Sequence, residues 1–162
     1  MRFSLVDQIL ALEKGKSITA VKNLSLAEEY LQDHFPGFAV MPGVLMVESI
    51  VQAGAWLMRY TNDFEYSTIL LKQTKAIRFN SFVTPGKQLK VSLSIQKWDG
   101  NLCTLKATSE VEGETAVSGR IVLEQFNLRD KTPSMAENDA DRVKDLQSQF
   151  NQLWNPNRQT AS

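Results

Sequence analysis

The segment from Pro42 to Tyr60 reads PGVLMVESIVQAGAWLMRY, and it predicts the strongest helix of the chain. Proline is favoured at the first helical position, because the amide hydrogen that it lacks has no intrahelical acceptor there. Apolar residues occur on nearly every side of this helix, so we expect other elements to bury it on all faces. The remainder of the chain must therefore wrap around it.

The second half of the sequence supplies strands for that wrapping. Residues 68–79 are strand-like, and apolar and polar residues alternate over 89–96. Asp99-Gly100 is a strong hairpin signal, and strand-like segments follow at 102–111 and 115–126. Consecutive strands joined by tight turns predict an antiparallel meander. With the buried helix, this pattern predicts an α+β domain.

The N-terminal region gives weaker signals. Residues 3–12 carry apolar side chains at helical spacing and predict a short amphipathic helix. Ser17–Leu24 alternates well enough to predict a first strand. Ser25 and Glu28 have the spacing of a capping box, so we expect a short helix over 26–31.

The sequence changes character after Leu128. Ser134 and Glu137 have the spacing of another capping box, and apolar residues then recur at near-helical spacing. We expect an amphipathic helix over 134–154, packed on the body or on a partner subunit. The chain is therefore divided into a domain over 1–128 and a tail over 129–162.

Composition excludes several classes of protein. The chain has 162 residues, enough for one domain with a substantial core. Its 18 basic and 18 acidic residues balance, whereas nucleic-acid binders usually show a basic excess. No apolar run is long and uninterrupted enough to span a membrane, and no signal peptide is recognised. We expect a cytoplasmic protein with Cys103 as a small core residue.

The residues with the clearest chemical potential lie at the start of the long helix. His34, the only histidine, precedes Glu48 by 14 positions, and Pro-Gly pairs at 36–37 and 42–43 bend the chain between them. A neutral imidazole can accept a proton at pH 7, and burial favours the protonated form of a carboxylic acid. Together they predict general acid–base chemistry.

The sequence around these residues resembles the (3R)-hydroxyacyl-acyl-carrier-protein dehydratases of the FabZ type. The resemblance rests on His-Phe-Pro-Gly at 34–37, Val-Met-Pro-Gly-Val-Leu at 40–45, and Glu48. It extends to segments 75–79 and 83–86. Asp33 departs from it, since the family usually has glycine before the histidine.

This resemblance implies a hotdog fold over residues 1–128, in which a curved antiparallel sheet wraps a long central helix. It implies homodimers, sometimes assembled as trimers of dimers, whose active sites take the histidine and the acid from different subunits. His34 would remove the C2 proton of a 3-hydroxyacyl thioester, and Glu48 would assist the leaving hydroxyl. The Gly43 amide would polarise the thioester carbonyl, while the Val40 carbonyl would hold the second imidazole nitrogen.

For four residues the sequence leaves two interpretations of the side chain's role open. Gln52, one turn after Glu48, either contacts the same site or only satisfies backbone groups. Phe38 and Phe79 either line an acyl tunnel or pack in the core. Glu48 itself has the alternative of a core ion pair with an arginine.

We expect neither a metal nor a cofactor, because one histidine and one cysteine make a poor ligand set and the dehydration needs no electron carrier. The resemblance implies an acidic acyl carrier protein as partner, delivering its substrate on a phosphopantetheine arm. A docking patch for it is expected among a few basic residues: Lys72, Lys75, Arg78 and Lys87. Three alternatives stay open: a hotdog thioesterase, an isomerising dehydratase, and a non-catalytic acyl-binding or assembly subunit.

Overall fold

A computed structural model describes residues 3–157 and shows an antiparallel sheet around a long helix. The strands are β1 (Gln8–Glu13), β2 (Ser17–Asn23), β3 (Thr68–Phe79), β4 (Gln88–Asp99), β5 (Leu102–Val111) and β6 (Glu114–Phe126), and the helices are α1 (Gly43–Thr61) and α2 (Ala136–Leu153). The sheet order is β1-β2-β4-β5-β6-β3, with every neighbouring pair antiparallel. This is the hotdog fold, with an added C-terminal helix.

Helix α1 packs on the concave side of the sheet. Residues along its inner face, such as Ile50 and Leu57, are completely buried. Gly54 permits the close approach, because a Cβ there would lie 3.2 Å from methyl groups of Leu93 and Leu123. The strands predicted for the second half and the long helix are confirmed to within two or three residues.

The expectation that α1 is buried on every face is wrong for its first turns. Val44 is 72% exposed, whereas the helix from Ser49 to Arg59 is almost entirely buried. The first turn of α1 therefore leaves an apolar side chain at the surface of the chain.

The predicted helix over 3–12 is wrong. Residues 8–13 instead form β1, an edge strand that pairs with β2. The segment is too short for its apolar spacing to distinguish the two periods, and β2 offers a complete set of backbone partners. The helix predicted over 26–31 is reduced to a 3₁₀ turn at Glu29–Gln32, because the Glu28 carboxylate binds Lys22 at 2.7 Å rather than capping a helix.

The C-terminal helix is confirmed, and it docks on the hotdog body. Phe150 contacts the rings of Trp56 and Tyr60 on α1 and of Phe64 just after it. Near the other end of α2, the Asp139 carboxylate accepts hydrogen bonds from Ser67 and from backbone amides. The predicted range of the tail, 129–162, extends beyond the described residues at 158–162.

Candidate active site

The loop before α1 holds His34 through two contacts with one residue. The imidazole Nδ1 lies 2.9 Å from the carbonyl oxygen of Val40, and the Val40 amide donates to the His34 carbonyl at 3.0 Å. Between them, Phe35 and Phe38 exchange backbone hydrogen bonds across Pro36-Gly37. Gly37 has a φ of +81°, which suits the position after proline in a type II turn. The first Pro-Gly pair therefore closes the loop that positions the histidine.

This geometry decides which imidazole nitrogen can act as a base. A carbonyl oxygen only accepts hydrogen bonds, so Nδ1 must carry the proton that is shared with Val40. In the neutral ring, Nε2 is then the unprotonated nitrogen, with its lone pair available. His34 is half-buried, and the Asp33 side chain before it is exposed.

Gly43 begins α1 and lies directly beneath an aromatic ring. A Cβ at this position would lie 2.9 Å from Cε1 of Phe79, so no larger residue fits without moving that ring. The first amides of a helix have no intrahelical acceptor and lie at the positive end of its dipole. The amide of Gly43 is therefore suited to hydrogen-bond a developing negative charge.

Glu48 is tied to Gln52, one turn further along α1. The Gln52 side-chain nitrogen donates to Glu48 at 3.1 Å and to the Phe3 carbonyl at 3.1 Å, while its oxygen accepts from the Leu5 amide at 2.8 Å. Gln52 thus satisfies backbone groups, as one interpretation expected, but not only these, since it also contacts Glu48. The alternative of a core ion pair is not observed, since no salt bridge of Glu48 occurs among the described residues.

The expected site residues form separate groups within one chain. His34 pairs with Val40, Gly43 contacts Phe79, and Glu48 pairs with Gln52. Over residues 3–157 no hydrogen bond or ion pair joins His34 to Glu48. Within a single chain, His34 and Glu48 are therefore held by separate sets of partners.

The two candidate tunnel residues lie at the surface. Phe38 is 57% exposed and Phe79 is 53% exposed, so neither belongs to the core of the chain. Other exposed apolar residues occur nearby in sequence: Phe35, Val44 and Phe82. We call these five residues the apolar surface.

A cavity of about 670 Å³ adjoins Glu48 and Gln52, and sequence reasoning missed its other wall. It runs along α1 to Arg59, and residues of α2 including Arg142 and Leu146 form the opposite side. The near-helical apolar spacing of the tail predicted that α2 packs, but gave no indication that it faces Glu48. In the described part of the chain, no group of potential metal ligands was found, and no helix is long and apolar enough to cross a membrane.

Comparison with known proteins identifies the class. The model of the FabA-like domain matches residues 1–120. This chain therefore belongs to the FabA-like family.

Curated relatives identify the type of enzyme more closely. The chain is 37% identical over 120 residues to the FabZ 3-hydroxyacyl-[acyl-carrier-protein] dehydratase of Caldicellulosiruptor saccharolyticus, covering 74% of this chain and 86% of the relative. It is 35% identical over 136 residues to the FabZ of Janthinobacterium sp., covering 82% and 87%. It is a dehydratase of the FabZ type.

Solved structures show the same fold at low identity. The dehydratase heterocomplex ApeI:P from Xenorhabdus doucetiae superposes with a TM-score of 0.66 and 17% identity, covering 82% of this chain and 90% of that chain. A mutant of the fluoroacetyl-CoA-specific thioesterase FlK gives a TM-score of 0.61 and 12% identity, covering 80% and 98%. Because the fold serves both reactions, it does not by itself distinguish them.

Proposed function

We propose that this dehydratase converts (3R)-3-hydroxyacyl thioesters of an acyl carrier protein to trans-2-enoyl thioesters in fatty acid biosynthesis. We infer a cytoplasmic location from the same pathway. The observation that carries the proposal is the contact between His34 Nδ1 and the Val40 carbonyl, because it leaves Nε2 as a free base. The curated FabZ relatives support the substrate class.

In the proposed reaction, Nε2 of His34 removes a proton from C2 of the substrate. The electrons of that C–H bond form the C2–C3 double bond, and the C3–O bond breaks. Glu48 donates a proton to the departing hydroxyl, so water leaves. The amide of Gly43 hydrogen-bonds the thioester oxygen as negative charge develops there, an interaction that can be worth about 3 kcal/mol of barrier.

We propose that a second copy of the chain completes the site. The outer edge of β3 is unpaired, since β3 ends the sheet and bonds only to β6. Long exposed edges of this kind favour pairing with another strand. The strand also exposes Leu70 and Leu71, and the apolar surface lies uncovered near His34. A dimer would bury these groups and bring His34 of one chain to Glu48 of the other.

The experiment follows the hydration of a 2-enoyl thioester by loss of its ultraviolet absorbance. We expect turnover by the wild type, and its loss in His34→Ala and in Glu48→Gln with the fold retained by circular dichroism. Full activity in either variant would contradict the assigned roles. An inactive wild type that binds acyl thioesters tightly would favour the non-catalytic alternative.

Co-expression of the two inactive variants tests the shared site. In a mixed dimer one site loses both residues, while the other keeps an intact His34 and an intact Glu48. Random pairing of symmetric dimers should therefore restore about a quarter of wild-type activity. No recovery, with mixed dimers demonstrated by differential tags, would mean that each chain supplies both groups of its own site.

A further inference from the structure

Two arginines line the cavity beside Glu48, the buried Arg59 of α1 and the exposed Arg142 of α2. Glu48 and Gln52 line one end, and Arg59 and Arg142 line the other. Arg59 follows Glu48 by eleven positions, which places them about 16 Å apart along α1. The walls between carry apolar side chains from α1, β3 and α2 together with polar ones: Val51, Ala55, Trp56, Ile69, Leu146, Leu153, Gln149 and Gln152.

Arg59 is buried without a partner for its charge. Its exposure is only 9%, and its Nε has no hydrogen-bond partner. The guanidinium lies 5.0 Å from the centre of the Trp56 ring, a favourable contact that does not neutralise it. Burial first, and the charge of Arg142 second, lower the pKa of Arg59 to about 10, so it remains protonated at pH 7.

The surrounding acids do not compensate this charge. Arg142 adds a second cation, and its Nε donates to the Ser67 carbonyl at 2.8 Å. Asp139, one turn earlier on α2, directs its carboxylate instead to the Ser67 hydroxyl and to the amides of Leu128 and Arg129. None of the salt bridges found over residues 3–157 involves Arg59 or Arg142.

We propose that Arg59 and Arg142 form an oxyanion-binding site for the distal carboxylate of the acyl substrate. An unpaired buried cation is costly, and a bound carboxylate would remove that cost. Guanidinium groups match the geometry of carboxylates and phosphates. The apolar walls would hold the hydrocarbon chain, with the thioester end at Glu48. This inference rests on the proposed function. It specifies the substrate further, as an acyl group that carries a negative charge at the end distant from the thioester.

The part of the proposed anion site that α2 contributes lies outside the segment matched by the family model. The family match ends at residue 120, whereas Arg142 lies in the tail that follows it. The tail therefore adds a cation and an apolar wall to a cavity that begins at the catalytic helix. Its contribution would be substrate selection rather than chemistry.

The first test measures binding without turnover. Wild-type protein is titrated calorimetrically with a straight-chain dicarboxylic acid whose extended length matches the distance of about 16 Å. The monocarboxylic acid of equal length and inorganic phosphate are compared. We expect the dicarboxylic acid to bind at least tenfold tighter than the monocarboxylic acid. We expect Arg142→Gln to remove this difference and Lys144→Gln, an exposed residue of the same helix, to keep it.

The second test measures kcat/KM for two enoyl thioesters of equal length, one ending in a carboxylate and one in a methyl group. We expect the carboxylate substrate to be preferred by the wild type and by Lys144→Gln, and the preference to disappear in Arg142→Gln. Equal turnover of both substrates by the wild type would overturn the proposal. So would binding of phosphate alone, which would indicate a site for a free anion.

The two proposals can fail separately. Selective dicarboxylate binding without turnover of either substrate would contradict the dehydratase site but retain the anion site. Turnover without any dependence on the distal carboxylate would support the dehydratase site but contradict the anion site. Because Arg59 is buried and its replacement risks unfolding, Arg142→Lys provides the second variant, and we expect it to retain part of the preference through its positive charge.

Discussion

Gln52 donates a hydrogen bond to the Glu48 carboxylate at 3.1 Å, and the same amide group holds the N-terminal segment at Phe3 and Leu5. Both NH₂ hydrogens and one lone pair of the amide oxygen are engaged. The position of the proposed catalytic acid is therefore coupled to a segment more than 40 residues away in sequence. We propose that Gln52 is a positioning residue for Glu48.

Replacing Gln52 by methionine keeps the length of the side chain but removes all three hydrogen bonds. A hydrogen bond to a charged group contributes about 1.5–3 kcal/mol, so we expect kcat to fall by roughly tenfold to a hundredfold. We expect the loss to appear in kcat and not in KM, because the proposed role of Gln52 is to position Glu48. Gln88→Met, at an exposed position of β4, is the control. A loss of stability with an unchanged kcat would mean that Gln52 acts only on the fold.

Gly43→Ala tests the proposed role of the first helical amide. The added methyl group would lie 2.9 Å from the Phe79 ring and beside the amide that is proposed to bind the thioester oxygen. Since Phe79 is half exposed, the ring can move, and we expect little change in the thermal midpoint. We expect kcat/KM to fall by about tenfold to a hundredfold.

A double variant separates the two effects of that methyl group. Gly43→Ala with Phe79→Ala relieves the contact with the ring but leaves the methyl group beside the amide. We therefore expect activity to remain near that of Gly43→Ala. Recovery to the activity of Phe79→Ala alone would indicate that ring displacement, and not obstruction of the amide, caused the loss.

Asp139→Asn should destabilise the protein in a pH-dependent way. Burial acts to raise the pKa of Asp139, but hydrogen bonds from Ser67 and the amides of Arg129 and Leu128, with the Arg129 charge, lower it below its ordinary value of 3.8. A carboxylate with a depressed pKa stabilises the fold above pH 3.8, and this contribution is lost as pH falls through the lower folded value. The thermal midpoints of wild type and variant should therefore differ at pH 7 and converge below pH 4. A difference that stays constant over this range would contradict an ionised Asp139.

Phe150→Ala tests how firmly α2 is docked. Phe150 is buried against Trp56, Tyr60 and Phe64, and truncating a buried phenylalanine typically costs about 3–5 kcal/mol. We expect faster hydrogen exchange throughout α2 and a lower free energy of unfolding. Leu26→Ala, at a position that is 77% exposed and lies outside α2, removes apolar volume from the surface and serves as the control. Unchanged exchange in α2 would mean that the other contacts suffice to hold it.

Much of the fold was predictable because its signals are local. The run of apolar residues after Pro42 identifies α1, and alternation with turn signals identifies strands β3 to β6. The helix predicted for the segment before β2 was wrong, because the six residues of β1 carry too little periodicity to distinguish a strand from a helix. There the pairing partner, β2, decided the conformation.

The candidate site was also only partly predictable from the sequence. The motif around His34 and the acid at Glu48 were visible in the sequence, because their spacing is fixed by one loop and one helix. The lone pair of Nε2 became assignable only when the Val40 carbonyl was placed against Nδ1.

The sequence by itself determined the order of helices and strands, the two Pro-Gly bends and the membership in a dehydratase family. The tertiary structure decided that Gln52 hydrogen-bonds Glu48, that α2 lines the cavity beside Glu48, and that Arg59 and Arg142 line the same cavity. The physical reason is that periodicity and turn chemistry act between near neighbours, whereas these contacts depend on how the whole chain is folded back on itself.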